Sequence, residues 1–192
     1  MRKLLFALAL SLAAVAADAA TEVQGVRFED RMKSGDAELV LNGAGLRARF
    51  FIKVYAIGLY VTERKSTGAD LAALKGAKRL HLVTLRELTA EQFADALVEG
   101  IRKNHSDAEI ESLNARVEQF KAAILALKTA PKGATVQIDW LPESGTRFVF
   151  NGEKRGEDIP GEDFYRAVLK IWLGENPAQG DLKEALLGKA AP

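Results

Sequence analysis

The sequence predicts an α+β domain in which helices cover one face of an antiparallel sheet. Strand-like segments come first, two capped helical segments follow, and a hairpin and further helices close the chain. This order differs from the strict strand–helix alternation of parallel α/β folds. The 192 residues include no cysteine, so the domain must be held together by packing alone. A cleft between sheet and helices is then the natural place for a ligand.

The N-terminal segment, residues 1–19, has the pattern of a secretory signal peptide. Arg2 and Lys3 precede an apolar run, and Ala17-Asp18-Ala19 places small residues where a signal peptidase reads them. A membrane anchor is the alternative, but the run is shorter than the ~20 residues that a spanning helix needs. We therefore expect cleavage, which leaves residues 20–192 as a single domain exported to the bacterial periplasm.

Charge and histidine content argue against several kinds of partner. Removing residues 1–19 takes two of the 27 basic and one of the 26 acidic residues, which leaves 25 of each. A mature domain without net charge is not expected to bind nucleic acid or an anionic membrane surface. His81 and His105 have no metal-ligand spacing, so we predict neither metal nor cofactor. No segment of the mature chain is apolar enough to span a membrane.

The longest β-rich run, residues 38–62, is the centre of the predicted sheet. Residues 21–28 form an edge strand before it, and residues 29–37 are polar and turn-like. The run is rich in valine, isoleucine, phenylalanine and tyrosine, which favour strands. A turn at Gly43-Ala44-Gly45 interrupts it, and glycine at such a place indicates a bulge, a bend or a close backbone approach.

Side-chain alternation after this turn predicts two different faces. One mixes cations, a phenol and apolar groups: Arg47, Arg49, Phe51, Lys53, Tyr55 and Ile57. The other is apolar and suits the core: Ala48, Phe50, Ile52, Val54 and Ala56. The mixed face suits a cleft that holds an anion. The alternative is that its cations are solvated on a half-exposed strand.

Two capping boxes predict consecutive helices after an alternating strand at residues 78–86. In each box a hydroxyl residue is followed three positions later by glutamine or glutamate, as in Thr89 with Gln92 and Ser106 with Glu109. Both helices carry apolar residues at helical spacing. We expect these apolar sides to pack on the sheet.

Periodicity and turn residues predict the remaining elements. These are a short helix at 69–74, a hairpin of strands 134–141 and 146–151, a short edge strand within 154–160, and helices at 162–173 and 181–187. Gly174 and Pro177 end the longer of the last two helices.

Several segments together resemble the chalcone isomerases and their non-catalytic relatives. The similar segments are Gly43–Arg47 with Phe51–Tyr60, the cleft helix Leu88–Gly100, the turn Ala130–Ala134, and the C-terminal motif Val168–Glu175 with Asp181–Lys183. They cover most of the mature chain in the family's order. The resemblance implies an open-faced β-sandwich, in which a layer of helices covers one face of a large antiparallel sheet.

The resemblance also implies that most of the catalytic set is lost. The plant enzyme closes a phenolate onto an enone with an arginine, a threonine, a tyrosine, an asparagine and a second hydroxyl residue. Arg47 matches the arginine, with Arg49 as the alternative because the following segment is shorter here. The other positions hold Tyr55 for threonine, Phe93 for tyrosine, Gly100 for asparagine and Ile171 for the last hydroxyl residue. Such a cleft lacks the hydrogen bonds that stabilise a reacting phenolate.

The predicted function is therefore non-catalytic binding of a fatty acid or similar apolar carboxylate. Arg47 and Tyr55 would bind the carboxylate, as the resemblance to plastid fatty-acid-binding members implies. The apolar body would contact Ile57, Leu88, Phe93, Gly100, Ile171 and Trp172. Burying ~10 methylenes contributes on the order of 8 kcal/mol before ordering costs.

Two alternatives stay open at this point. The first is an isomerase or lyase acting on another substrate, with Arg47 as the electrophile and Tyr55 as acid or base. The second is a partner-binding protein whose cleft is filled by its own side chains, with Trp172 and Phe93 as the filling residues. The sequence identifies no protein partner.

Overall fold

Helices cover one face of a seven-stranded antiparallel sheet in the computed structural model of the chain, which describes residues 20–189. The strands are β1 (Thr21–Val23), β2 (Val26–Phe28), β3 (Arg31–Ser34), β4 (Ala37–Arg49), β5 (Ile52–Val61), β6 (Lys78–Thr84), β7 (Leu88–Thr89), β8 (Thr129–Ala130), β9 (Thr135–Leu141), β10 (Gly145–Phe150) and β11 (Glu153–Lys154). The helices are α1 (Gly68–Ala73), α2 (Ala90–Arg102), α3 (Asp107–Leu125), α4 (Glu162–Leu173) and α5 (Gly180–Leu186). The order across the main sheet is β11-β10-β9-β6-β5-β4-β3. The predicted α+β class is confirmed.

The main core lies between the sheet and the helices. Phe120 of α3 makes edge-to-face contacts with Phe148 of β10, at 5.3 Å between ring centroids, and with Phe164 of α4, at 5.9 Å. A smaller core on the opposite face packs around Phe28 and Tyr60, where the β1–β2 hairpin covers part of the sheet. This arrangement is the open-faced β-sandwich that the family resemblance implies.

The segment before the central run folds differently from the expectation. Residues 21–28 form a separate two-stranded hairpin, because the chain reverses at Gln24 and Gly25, both with positive φ. The edge strand of the main sheet on this side is β3, within the stretch 29–37 that polar composition assigned to a turn. Gly35, at φ 58°, makes the turn from β3 into β4.

The predicted turn at residues 43–45 is wrong. Strand β4 continues through these glycines, with a register shift between Leu41 and Gly43, and the chain reverses at Phe50-Phe51 instead. The predicted core face is therefore wrong for Phe50 and Ile52, which are exposed.

The other predicted elements lie close to their expected places. Strands β9 and β10 pair as the predicted hairpin, and both capping boxes are formed. The expected edge strand in 154–160 is reduced to β11 and a single bridge from Ile159 to Thr146. A short ribbon of β7 and β8, which was not predicted, joins the start of α2 to the segment after α3.

The predicted signal peptide, residues 1–19, lies outside the described residues. Within residues 20–189, no helix combines the length and apolar character needed to cross a membrane.

Candidate functional site

The pairing of β4 with β5 places Arg47 directly opposite Tyr55. The next same-face pairs along the two strands are Gly45 with Ile57 and Gly43 with Leu59. Tyr55, Ile57 and Leu59 belong to the main core, so this face of the two strands looks toward the helices. Arg47 and Tyr55 do share a face, as cross-strand neighbours and not along one continuous strand.

The two glycines of β4 allow α5 to approach the strand closely. A Cβ atom on Gly43 would lie 2.1 Å from the Ala185 carbonyl oxygen, and one on Gly45 would lie 2.7 Å from Leu182 Cδ1. Any side chain at either position would therefore push α5 away. The close backbone approach expected of glycine in a strand is confirmed, although the turn is not.

Gln179, at the N-terminus of α5, fixes Arg47 in place. Its Oε1 accepts hydrogen bonds from Ala48 N at 2.8 Å and from Arg47 Nη1 at 3.1 Å, and its Nε2 donates to the Leu46 carbonyl at 3.2 Å. Sequence reasoning missed Gln179, because no local pattern indicates a contact across more than 130 positions.

Arg47 is half-buried beside the start of α5, and its Nη1 also donates to the Ala48 carbonyl. A guanidinium has five N–H donors in a planar fork. The hydrogen bonds from Arg47 to Gln179 and to the Ala48 carbonyl both use Nη1, and the guanidinium also lies close enough to Tyr55 to influence its hydroxyl. An anion beside Tyr55 could therefore be bound by the remaining N–H donors of the fork.

Tyr55 is buried, and its hydroxyl accepts a hydrogen bond from Trp172 Nε1 at 2.9 Å. Burial raises the pKa of the Tyr55 phenol, and the Trp172 donor and the Arg47 charge offset only part of this effect. The phenol is therefore neutral at physiological pH. It retains one O–H donor while its oxygen accepts from Trp172.

A small apolar pocket lies beside Tyr55, where the ends of β5 and β6 face the start of α2. Its lining includes Tyr55, Leu82, Leu88, Phe93, Ile124 and Leu127. The cavity measures about 20 Å³, which is room for roughly one water molecule. The Thr89 capping box starts α2 at this point and so places Phe93 one turn into the helix.

Gly100 and Ile171 pack directly against each other and leave no cavity between them. A Cβ atom on Gly100 would lie 2.7 Å from Ile171 Cγ2. The position at which the resemblance implies an amide is thus occupied by an isoleucine methyl group from α4.

The predicted site residues fall into three groups. Tyr55, Leu88 and Phe93 line the pocket. Arg47 and Trp172 contact or adjoin Tyr55. The others, Ile57, Gly100 and Ile171, lie in packed regions of the main core.

Within residues 20–189, no cluster of three or more histidine, cysteine or acidic side chains has the geometry to hold a metal ion. His81 lies on the opposite face of the sheet, with its ring edge-to-face against Phe28. His105 contacts the Ile101 carbonyl at the end of α2, at 2.8 Å from Nδ1. Neither histidine lies in the pocket.

Comparison with known proteins identifies similar sequences and folds. A family model described as chalcone isomerase-like matches residues 20–188. No curated protein matches the chain. Among solved structures, a fatty-acid binding protein from Arabidopsis thaliana has a TM-score of 0.65 and 17% sequence identity, over 85% of this chain and 92% of that one. At this identity the likeness shows a common fold.

Proposed function

This chain belongs to the chalcone isomerase-like family, and from that premise we propose that it is a non-catalytic protein that binds a fatty acid or similar apolar carboxylate. The observation that carries the proposal is the pairing of Arg47 with Tyr55 beside an apolar pocket. The description of an Arabidopsis protein of this fold as a fatty-acid binding protein supports the same ligand class.

The polar end of the site suits a carboxylate. Arg47 supplies a permanent positive charge, and a guanidinium forms charge-assisted hydrogen bonds with a carboxylate. Tyr55 adds a neutral O–H donor, because burial raises its pKa. Gln179 holds the arginine against β4, so the cation is positioned before the ligand arrives.

The apolar end must open for the ligand chain to enter. A pocket of about 20 Å³ does not hold an acyl chain, so we propose that Phe93 and the start of α2 move away from the sheet on binding. Burial of ~10 methylenes contributes on the order of 8 kcal/mol, which offsets part of the cost of this movement.

The same residues argue against proton-transfer chemistry. Phe93 has no hydroxyl group, and Ile171 packs where a polar side chain would be needed. A phenol with a raised pKa is a poor general base near neutral pH. The isomerase or lyase alternative is left with Arg47 as its only strong electrostatic group, so binding is favoured over catalysis.

We also propose that the domain acts in the periplasm after removal of residues 1–19. The support is the basic, apolar and small-residue pattern of that segment. Intact-mass measurement on the protein from a periplasmic extract tests this. A mass that includes residues 1–19, or recovery only from the cytoplasm, would contradict export.

The ligand proposal is tested on the purified mature chain. Native mass spectrometry should show co-purified lipid, and calorimetry should show binding of laurate or palmitate. Arg47→Ala should weaken laurate binding much more than Lys53→Ala, because Lys53 is exposed and contacts Gln24. A chain that carries no lipid and gives no heat with either acid would refute the proposal.

A second candidate function follows from how tightly the cleft is packed. Trp172 bonds to Tyr55, and Ile171 fills the space beside Gly100. A permanently closed cleft would leave the domain to recognise a protein partner through its surface. Failure of laurate to bind both the wild-type protein and a variant with an enlarged pocket would favour this candidate.

A further inference from the structure

The tip of the β4–β5 hairpin, residues 49–53, exposes a cluster of large apolar side chains. Phe50 is 88% exposed, Phe51 is fully exposed and Ile52 is 52% exposed. Within residues 20–189 the only other exposed large apolar side chain is Leu125. Single exposed apolar residues are ordinary, but a contiguous cluster marks an interaction site.

The backbone at this tip makes the choice of residues unusual. Phe50 and Phe51 form a two-residue turn between Arg49 and Ile52, and Phe50 has φ 55°. Two-residue turns with a positive φ favour glycine, asparagine or aspartate, and an aromatic residue there is strained. The fold gains neither a favourable turn residue nor burial from these two rings, so folding stability does not explain them.

Cations flank the apolar tip. Arg49 lies beside the apolar residues on β4, and Lys53 lies beside them on β5. Arg86 is exposed on the loop after β6. A hydrogen bond of 2.9 Å from Leu85 N to the Val54 carbonyl holds this loop next to β5. Glu99 of α2 lies close enough to Arg49 to interact with its charge, but it forms an ion pair with Lys103 at 2.6 Å. Three exposed cations therefore adjoin the tip, although residues 20–192 as a whole carry no net charge.

We propose that this hairpin tip inserts into the surface of a lipid bilayer that carries anionic headgroups. Three apolar residues at the end of a narrow ribbon offer little area for a stable protein interface, which buries about 800 Å² on each partner. A bilayer interface needs no complementary shape. Aromatic and aliphatic side chains enter its acyl boundary while neighbouring cations bind headgroup phosphates. This proposal departs from the expectation drawn from net charge, because the cations that it invokes are local to the tip.

The tip and the pocket lie at the same end of the sheet. Strand β6 ends at Thr84, opposite Tyr55, and residues 52–54 of β5 extend beyond that point toward the tip. Thr84 and Leu88 line the pocket at this end. Insertion of the tip would bring the pocket near the membrane. The inference does not rest on the proposed ligand, because the tip is defined by exposure, backbone and charge alone.

Vesicle flotation of the mature chain tests the proposal. We expect binding to vesicles of phosphatidylcholine with phosphatidylglycerol, and weaker binding to phosphatidylcholine alone. Phe50→Ser and Phe51→Ser should each weaken partitioning about tenfold, and Arg49→Ala about fivefold. Lys33→Ala, an exposed cation on β3 at the other end of β4, should bind like wild type.

Phe51→Trp gives a direct reporter of insertion. The native tryptophans Trp140 and Trp172 are buried, so the wild-type protein serves as the blank. The new tryptophan should shift its emission to the blue with anionic vesicles and become protected from iodide.

Three results would overturn the proposal. The first is that the wild-type protein does not float with the vesicles. The second is that the Phe50→Ser, Phe51→Ser double variant floats as well as the wild-type protein. The third is that sedimentation shows the wild-type protein as a dimer and the double variant as a monomer. The last result would assign the tip to a second copy of the chain. Circular dichroism should show that the single variants and the double variant are folded, because Phe50 and Phe51 are exposed. Laurate calorimetry of the double variant should match wild type, which separates this test from that of the ligand site.

Discussion

Trp172 Nε1 donates a hydrogen bond to the Tyr55 hydroxyl at 2.9 Å and so connects α4 to β5. Both side chains are buried. In Tyr55→Phe the indole N–H loses this acceptor, and a buried unsatisfied donor costs about 1–3 kcal/mol. We therefore expect the free energy of unfolding in urea to fall by about that amount.

A double-mutant cycle isolates this hydrogen bond from the packing of the two rings. Trp172→Phe removes the donor and some volume, and the Tyr55→Phe, Trp172→Phe double variant removes both polar groups. The double variant should lose less stability than the sum of the single losses. Strict additivity would show that the bond contributes nothing to stability.

Phe93 is the largest side chain of α2 that lines the pocket. Phe93→Ala should enlarge the pocket and lower the free energy of unfolding by about 2 kcal/mol, less than a fully buried phenylalanine because Phe93 is half-buried. If the pocket holds the acyl chain, this variant should bind laurate more tightly than wild type, because less of the ligand's binding energy is spent on moving the ring.

Val98→Ala is the matched control for Phe93. Val98 lies on the same helix and is also partly buried against the core, but it does not line the pocket. Its replacement should lower stability without changing laurate affinity. Equal affinities in the two variants would contradict the assignment of this pocket to the acyl chain.

Local sequence patterns correctly predicted the elements that depend only on residues close together in the sequence. The Thr89 and Ser106 capping boxes form as expected, because each requires only residues three positions apart. The β9–β10 hairpin likewise follows from alternation on both sides of a polar turn.

The hairpin tip and the contact of Gln179 with Arg47 could not be predicted in the same way. Phe50-Phe51 contains no turn residue and continues the strand pattern, so composition gives no sign of the reversal. Gln179 reaches Arg47 only because two glycines let α5 approach β4. Contacts of this kind depend on the assembled fold, and the residues involved are far apart in the sequence.

Gly45 is required for the close contact between β4 and α5. Its Cβ atom in Gly45→Ala would lie 2.7 Å from Leu182 Cδ1 and 2.9 Å from Ala185 Cβ. We expect a loss of about 1–3 kcal/mol in the free energy of unfolding. The displacement of α5 should also loosen the hold of Gln179 on Arg47 and weaken laurate binding.

Gly180→Ala serves as the comparison in the same helix. A Cβ atom at Gly180 has nothing within 4 Å, so alanine there should be neutral or slightly stabilising. Thermal unfolding of the two variants side by side measures the difference. A Gly45→Ala protein as stable as Gly180→Ala would show that α5 does not depend on the close approach.

Asp158 gives the domain a pH-dependent contribution to stability that one variant can isolate. Arg147 contacts both of its carboxylate oxygens, through Nε at 3.0 Å and through Nη2 at 2.6 Å. This pairing lowers the pKa of Asp158 to about 2. Because the folded-state pKa lies below the unfolded one, the stabilisation is fully present above about pH 4 to 5 and is lost as the pH falls toward 2.

Asp158→Asn should therefore be less stable than wild type at pH 7, by at most about 2 kcal/mol, and the two proteins should converge near pH 2. Urea unfolding of both proteins at several pH values measures this difference in the free energy of unfolding. The contributions of the other carboxylates cancel, because they are the same in both proteins. Glu157→Gln is the control, because the Glu157 side chain is 90% exposed and its nearest cation lies 3.7 Å away. A wild-type advantage over Asp158→Asn that does not change between pH 5 and pH 2 would contradict the role assigned to this ion pair.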